Sequence, residues 1–189
     1  DLKLYVAKAT NVTLDSTIMV APISGSWNNG TGQYLDNTIN TTGVSWQYQS
    51  FLGSNPWLTG GFNPLVTASF DQASNAGGGT WYTGSGTYPN VPQPLESYQN
   101  FNLRSNKDLN VEVKGAVEVW YSSSQNINGG LIEIVNEGFI VRWDTEFEFV
   151  TSSAVTPQLS YYSVDTNTIY PPQLEIKWDD SSYNTGSLN

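Results

Sequence analysis

The sequence predicts an all-β fold: an antiparallel β-sandwich, jelly-roll-like, with one long irregular excursion. Three observations carry this. Short apolar stretches alternate with polar residues at period two. Gly, Asn, Ser and Thr separate those stretches as turn formers. No stretch carries the long apolar stripe of an amphipathic helix. The chain has 189 residues, the size of one ordinary domain. The expected organisation is a single sandwich over residues 1–178, with the excursion at about 33–100. Residues 179–189 form a polar tail or a linker to a further domain.

Leu2-Lys3-Leu4-Tyr5-Val6 alternates and reads as the first strand. Thr17 to Ile23 is apolar enough to be central until Pro22 ends its pairing. Ser24 to Gly32 is a turn-rich loop around Trp27. In the excursion, short strands are expected at Gly43–Tyr48, Val66–Phe70 and Thr80–Thr83, as ordered departures from one end of the sandwich. Regularity returns after Tyr98. Leu109 to Val113 alternates strictly, and Ala116 to Tyr121 is the best place for a single helical turn. Further strands are expected at Leu131–Ile134, Gly138–Trp143, Phe147–Phe149, Gln158–Tyr162 and Gln173–Trp178. Glu112, Glu133, Glu148 and Glu175 sit between apolar neighbours, as outward positions of half-buried strands do.

With neither Cys nor His, disulfides, thiolate chemistry, the common zinc sites and imidazole acid–base catalysis are excluded. Seven Lys and Arg against 17 Asp and Glu give a net charge of −10. The few cations form no basic stripe, which argues against nucleic acid and against anionic membrane surfaces. No run is long and apolar enough to be a membrane helix, so no membrane insertion is expected. Gly77-Gly78-Gly79 lacks the lysine and the helix of a phosphate loop. A glycosidase would need two carboxyl groups facing across a groove, which no spacing here establishes. No catalytic residue is assigned, and the chain is read as a non-enzyme. No cofactor is expected apart from a structural Ca²⁺, for which Asp15, Asp36, Asp71, Asp108, Asp144, Asp165, Asp179 and Asp180 offer hard oxygen donors. None has EF-hand spacing, so the metal site is unknown.

The tryptophans divide. Trp120, Trp143 and Trp178 belong to apolar patterns and should be at least half buried. Trp57, Trp81, Trp27 and Trp46, in that order, lie amid Gly, Asn and Ser and are the candidate anchors for a partner or a glycan. The principal contact surface is therefore expected between Ser24 and Asn100. The chain opens at Asp1 directly on a strand pattern, which reads as a segment of a longer polypeptide with an edge or face left open.

A series of segments carries a resemblance. It comprises Leu2-Lys3-Leu4-Tyr5, Ile18-Met19-Val20, Ser26-Trp27-Asn28-Asn29-Gly30, Gly43-Val44-Ser45-Trp46, Val111 to Trp120, Asn128 to Ile134 and Pro172-Gln173-Leu174-Glu175-Ile176. In order and spacing the series resembles the DNRLRE family of carbohydrate-binding-type β-sandwich modules. It departs from that family in having Asn28 where an acidic residue follows the loop Trp, and in a long segment from Phe51 to Gln99. Gly79-Thr80-Trp81-Tyr82, Ile169-Tyr170-Pro171-Pro172 and Leu174 to Ser181 look like virion structural proteins of T4-like marine phages, cyanophages especially. The resemblance implies a virion structural protein of neck, tail or capsid, located in the extracellular particle and assembled in the host cytoplasm. Its partners would be other virion proteins, including copies of itself, and a host surface glycan. The alternative is a carbohydrate-binding module of a phage adhesin or of a secreted polysaccharide-acting protein.

Overall fold

The computed structural model describes residues 1–12, 15–30, 43–45, 48–50, 55–57, 66–68, 79–82, 95–124, 135–144 and 157–178. Over these the fold is all-β and antiparallel, with one short helix. The strands expected at Leu131–Ile134 and Phe147–Phe149, the residue Trp46 and the tail 179–189 lie outside the described residues.

Strand β3 (Ser16–Pro22) is the centre of the molecule. It pairs with β8 (Ser97–Phe101) on one side and β10 (Phe139–Trp143) on the other. Its five residues from Ile18 to Pro22 are all buried, because both faces are covered. Ile18 and Val20 point into the main core, while Met19 and Ala21 pack against Trp81 and Ile140. That two-sided burial is why the strand reads as a continuous apolar run and not as an alternation. A second three-stranded sheet has β1 (Leu2–Leu4) between β9 (Leu109–Val111) and β12 (Gln173–Leu174). Leu2, Leu109 and Val111 from this sheet meet Ile18, Val20 and Phe101 from the first in one buried cluster. Two-stranded pairs complete the structure. They are β2 (Val6–Thr10) with β11 (Gln158–Tyr161), β4 (Tyr48–Ser50) with β5 (Asn55–Pro56), and β6 (Val66–Ala68) with β7 (Thr80–Tyr82).

Several expectations need correction. The single turn expected at Ala116–Tyr121 is a full helix, α1 (Lys114–Ser124). Ala116, Val117 and Trp120 recur at helical spacing along its inner side, continuing from Val113 just before it, with Val113, Ala116 and Val119 buried. Strand β8 falls where the irregular excursion was expected to end. The first strand breaks at Tyr5, where the Val6 amide turns to donate to Asp108 Oδ1 at 2.8 Å. The last is only two residues long, and Trp178 is 77% exposed instead of half buried. Trp120 and Trp143 are partly buried, Trp120 against Phe139 with ring centroids 4.8 Å apart. Among the described residues no helix is long and apolar enough to cross a membrane.

Candidate binding groove

At the end of β3 the chain is stitched to its neighbours by backbone bonds. Ile23 N donates to Gly138 O at 3.0 Å, and Ser24 N donates to Thr80 O at 3.0 Å. The loop beyond them turns at Gly30 (φ 76°), whose amide meets Asn28 Oδ1 at 2.7 Å. Just before that turn it runs against residues 43–45, where Val44 N donates to Asn28 O at 2.6 Å. This approach requires glycine at 43, because a Cβ there would collide with the Asn29 carbonyl. Ser45 is fixed in turn by a bond from its amide to Tyr48 O at 2.8 Å.

Two indoles are held over this frame. Trp27 donates from Nε1 to Glu137 O at 2.8 Å, and Trp57 donates from Nε1 to Ser45 O at 3.0 Å. Each bond removes the polar demand of an indole and fixes its ring, leaving the apolar faces for contact. The rings, with Ile23, Val44 and the β10 residues Phe139, Ile140 and Val141, wall an open groove of about 350 Å³. Gly79 closes its floor with φ +85°, and a Cβ there would stand 2.6 Å from Ile140 Cδ1. Ser45 and the glycine backbone are the polar part of the lining, and among the described residues no charged side chain contributes to it. Trp27 is 42% exposed and Trp57 only 5%.

Of the four tryptophans nominated from the sequence, the groove brings two together. Trp27 presents accessible ring, and Trp57 forms the buried wall behind it. Two of the candidate anchors are buried within the chain, Trp57 as above and Trp81 at 4% exposure. Trp81 packs on Met19 and Ala21, carries the Arg142 guanidinium 4.9 Å from its ring centroid, and donates from Nε1 to Glu96 Oε1 at 2.6 Å. Glu96 also accepts from the Tyr98 hydroxyl at 3.0 Å. Burial and then the Glu96 charge push the Tyr98 phenol up to about 12. Val44 and the β10 residues were not singled out as contact residues in the sequence. Their only local signal is an apolar strand ending beside a loop.

Two other cavities lie among the described residues. One of about 330 Å³ lies against the main core, lined by Leu4, Ile18, Trp143, Leu159 and Tyr161 among others. Burial, and secondarily Asp108, raises the Tyr161 phenol there. The other, about 210 Å³, lies between α1 and β12 and gathers Asp1, Glu112, Glu118 and Glu175 with Lys114 and Lys177. Three of these carboxylates, Asp1, Glu118 and Glu175, are engaged in ion pairs. Glu175 receives Lys3 at 2.9 Å and Lys177 at 2.8 Å, and Glu118 receives Lys114 at 3.5 Å. The Lys177 bond first, then that of Lys3, lowers the Glu175 carboxyl to about 2. That is the opposite of what a general acid needs. No three Asp or Glu come together as a metal site among the described residues. Asp36, Asp71, Asp179 and Asp180 lie outside them.

No family model, curated protein or solved structure matches this chain.

Proposed function

We propose that this chain is a structural and attachment component of a phage particle. It works by binding, not by catalysis, and the Trp27–Trp57 groove is its contact surface. The observation that carries the reading is the pair of indoles pinned to backbone carbonyls around an uncharged, apolar depression. Rigid aromatic area loses little conformational entropy on binding, and such residues dominate interface energetics. The phage context rests on the sequence resemblance. In a chain of net charge −10, an uncharged groove suits a neutral or apolar surface and disfavours a polyanion.

The exposed face of Trp27 favours a second reading, a module that stacks on a neutral glycan of the host surface. Both readings make Trp27→Ala the informative substitution. It should weaken attachment by about thirtyfold, corresponding to the ~2 kcal/mol of a hot-spot Trp, while circular dichroism stays unchanged. Immunogold labelling of intact particles of the encoding phage, with antibodies raised against residues 1–189, tests the particle assignment. Unlabelled particles would sink it. Glycan-array binding that depends on Trp27 would support the second reading.

A further inference from the structure

Strand β12 and the residues that follow it form an amphipathic edge. Leu174, Ile176 and Trp178 are spaced two apart, and all three are exposed, Ile176 by 68%. Leu174 pairs with the buried Leu2, so it shares the inner face of the β1 sheet. Glu175 and Lys177 between them are tied to Lys3 and Asp1. Glu175 exchanges both backbone bonds with Asp1: its amide donates to Asp1 O at 2.8 Å, and the Asp1 nitrogen donates to Glu175 O at 2.8 Å. In an antiparallel ladder the backbone groups of the next residue on either side then point the other way. Those of Leu174 and Ile176 therefore face the side of β12 away from β1. Among the described residues β12 is an edge strand, and no other strand pairs on that side.

We infer that this edge pairs with the same edge of a second copy of the chain, antiparallel and centred on Ile176. The sequence is self-complementary in that register. Ile176 meets Ile176 of the copy, Leu174 meets Trp178, and Glu175 meets Lys177. Both charge pairs are of opposite sign, and each apolar residue has an apolar neighbour, the arrangement that stabilises cross-strand pairs. A shift by one residue would set apolar side chains against charged ones and lose the match. The contact is isologous, so it closes as a two-fold dimer and does not propagate into a fibre. It joins two three-stranded sheets into one of six and caps an edge that would otherwise invite indiscriminate pairing. The surface is separate from the Trp27–Trp57 groove, so the inference stands whether or not that groove binds a glycan or a particle protein.

Sedimentation equilibrium on the full chain tests it. The wild type should sediment as a dimer, at twice the 20.8 kDa of the chain, and dissociate on dilution. Ile176→Pro removes the central amide donor without touching a bond to β1 and should abolish the dimer. Glu175→Lys and Lys177→Glu each oppose like charges in the homodimer and should weaken it about tenfold. Mixed together, the two variants should form a heterodimer, because each restores the charge missing from the other. Circular dichroism of every variant guards against loss of fold. A wild type that stays monomeric at all concentrations overturns the inference. So does a dimer unaffected by Ile176→Pro, or a pair of charge variants that gain nothing on mixing.

Discussion

Strand β3 lies between two neighbours, and the segment Gln173–Trp178 lies beside one. In β3, Ile18, Val20 and Ala21 are almost wholly buried, with β8 and β10 paired along its length and side chains covering both faces. In the C-terminal segment Leu174, Ile176 and Trp178 stay exposed although they alternate as regularly as any strand in the chain. An apolar residue is buried by what arrives on its face from elsewhere in the chain, and alternation states only which face would receive it.

The largest effect that would separate the two regions is a cavity in the β3 core. Phe101→Ala, at a residue packed against Ile18 and Val20 and 1% exposed, should cost about 3–5 kcal/mol in urea unfolding. A cost under ~1 kcal/mol would mean that the two sheets are not packed through this cluster. The next effect is polar. Gln99 on β8 donates from Nε2 to Asp108 O at 2.9 Å and accepts the Asn110 amide at 2.7 Å, so one side chain joins β8 to β9. Gln99→Ala should cost about 0.5–1.5 kcal/mol, the net worth of hydrogen bonds that water can partly replace; hydrogen exchange of the Asn110 amide reads the loss directly. At the other extreme, Ile176→Ala should change stability by at most about 0.5 kcal/mol, measured at a dilution where the chain is monomeric. A larger cost there would erase the contrast with β3.

Acid should act on the C-terminal segment and spare β3. The Glu175 carboxyl is lowered from 4.5 to about 2 by Lys177 and Lys3. A depressed folded value contributes stability above the unfolded value, and that contribution is lost as pH falls toward the folded one. The β12–β1 pairing should therefore loosen between about pH 4.5 and pH 2, seen as faster exchange of the Glu175 amide. The Val20 and Ala21 amides should stay protected over the same range. Glu175→Gln should reduce the pH dependence, leaving only what the Asp1–Lys177 pair contributes.

The strands Ser16–Pro22, Leu109–Val111, Phe139–Trp143 and Gln158–Tyr161 were legible as apolar or alternating runs. Strand β8, with the sequence Ser-Tyr-Gln-Asn-Phe, was not. Its place is fixed by pairing with β3 and by the Gln99 amide, neither of which is a local pattern. Helix α1 was read as one turn because its valines favour strands, although the spacing of Val113, Ala116, Val117 and Trp120 already describes a helical face. The groove was half legible. Trp27 and Trp57 were both singled out as candidate anchors, but nothing in the sequence around Trp57 shows which way its indole faces. In the structure the indole turns inward and donates its N–H to Ser45 O, and an acceptor twelve residues away leaves no mark beside the tryptophan.

The pairing of Asp1 with Glu175 sets how the chain bears mechanical load. β1 and β12 are antiparallel, and residues 1 and 178 leave the sheet at the same end. Tension between those two points peels the strands apart one hydrogen bond at a time. Tension along β3 would have to shear its bonds to β8 and β10 together. Under that tension the β12 edge therefore yields before β3, and the Asp1–Lys177–Glu175–Lys3 ion pairs are the clasp that resists it.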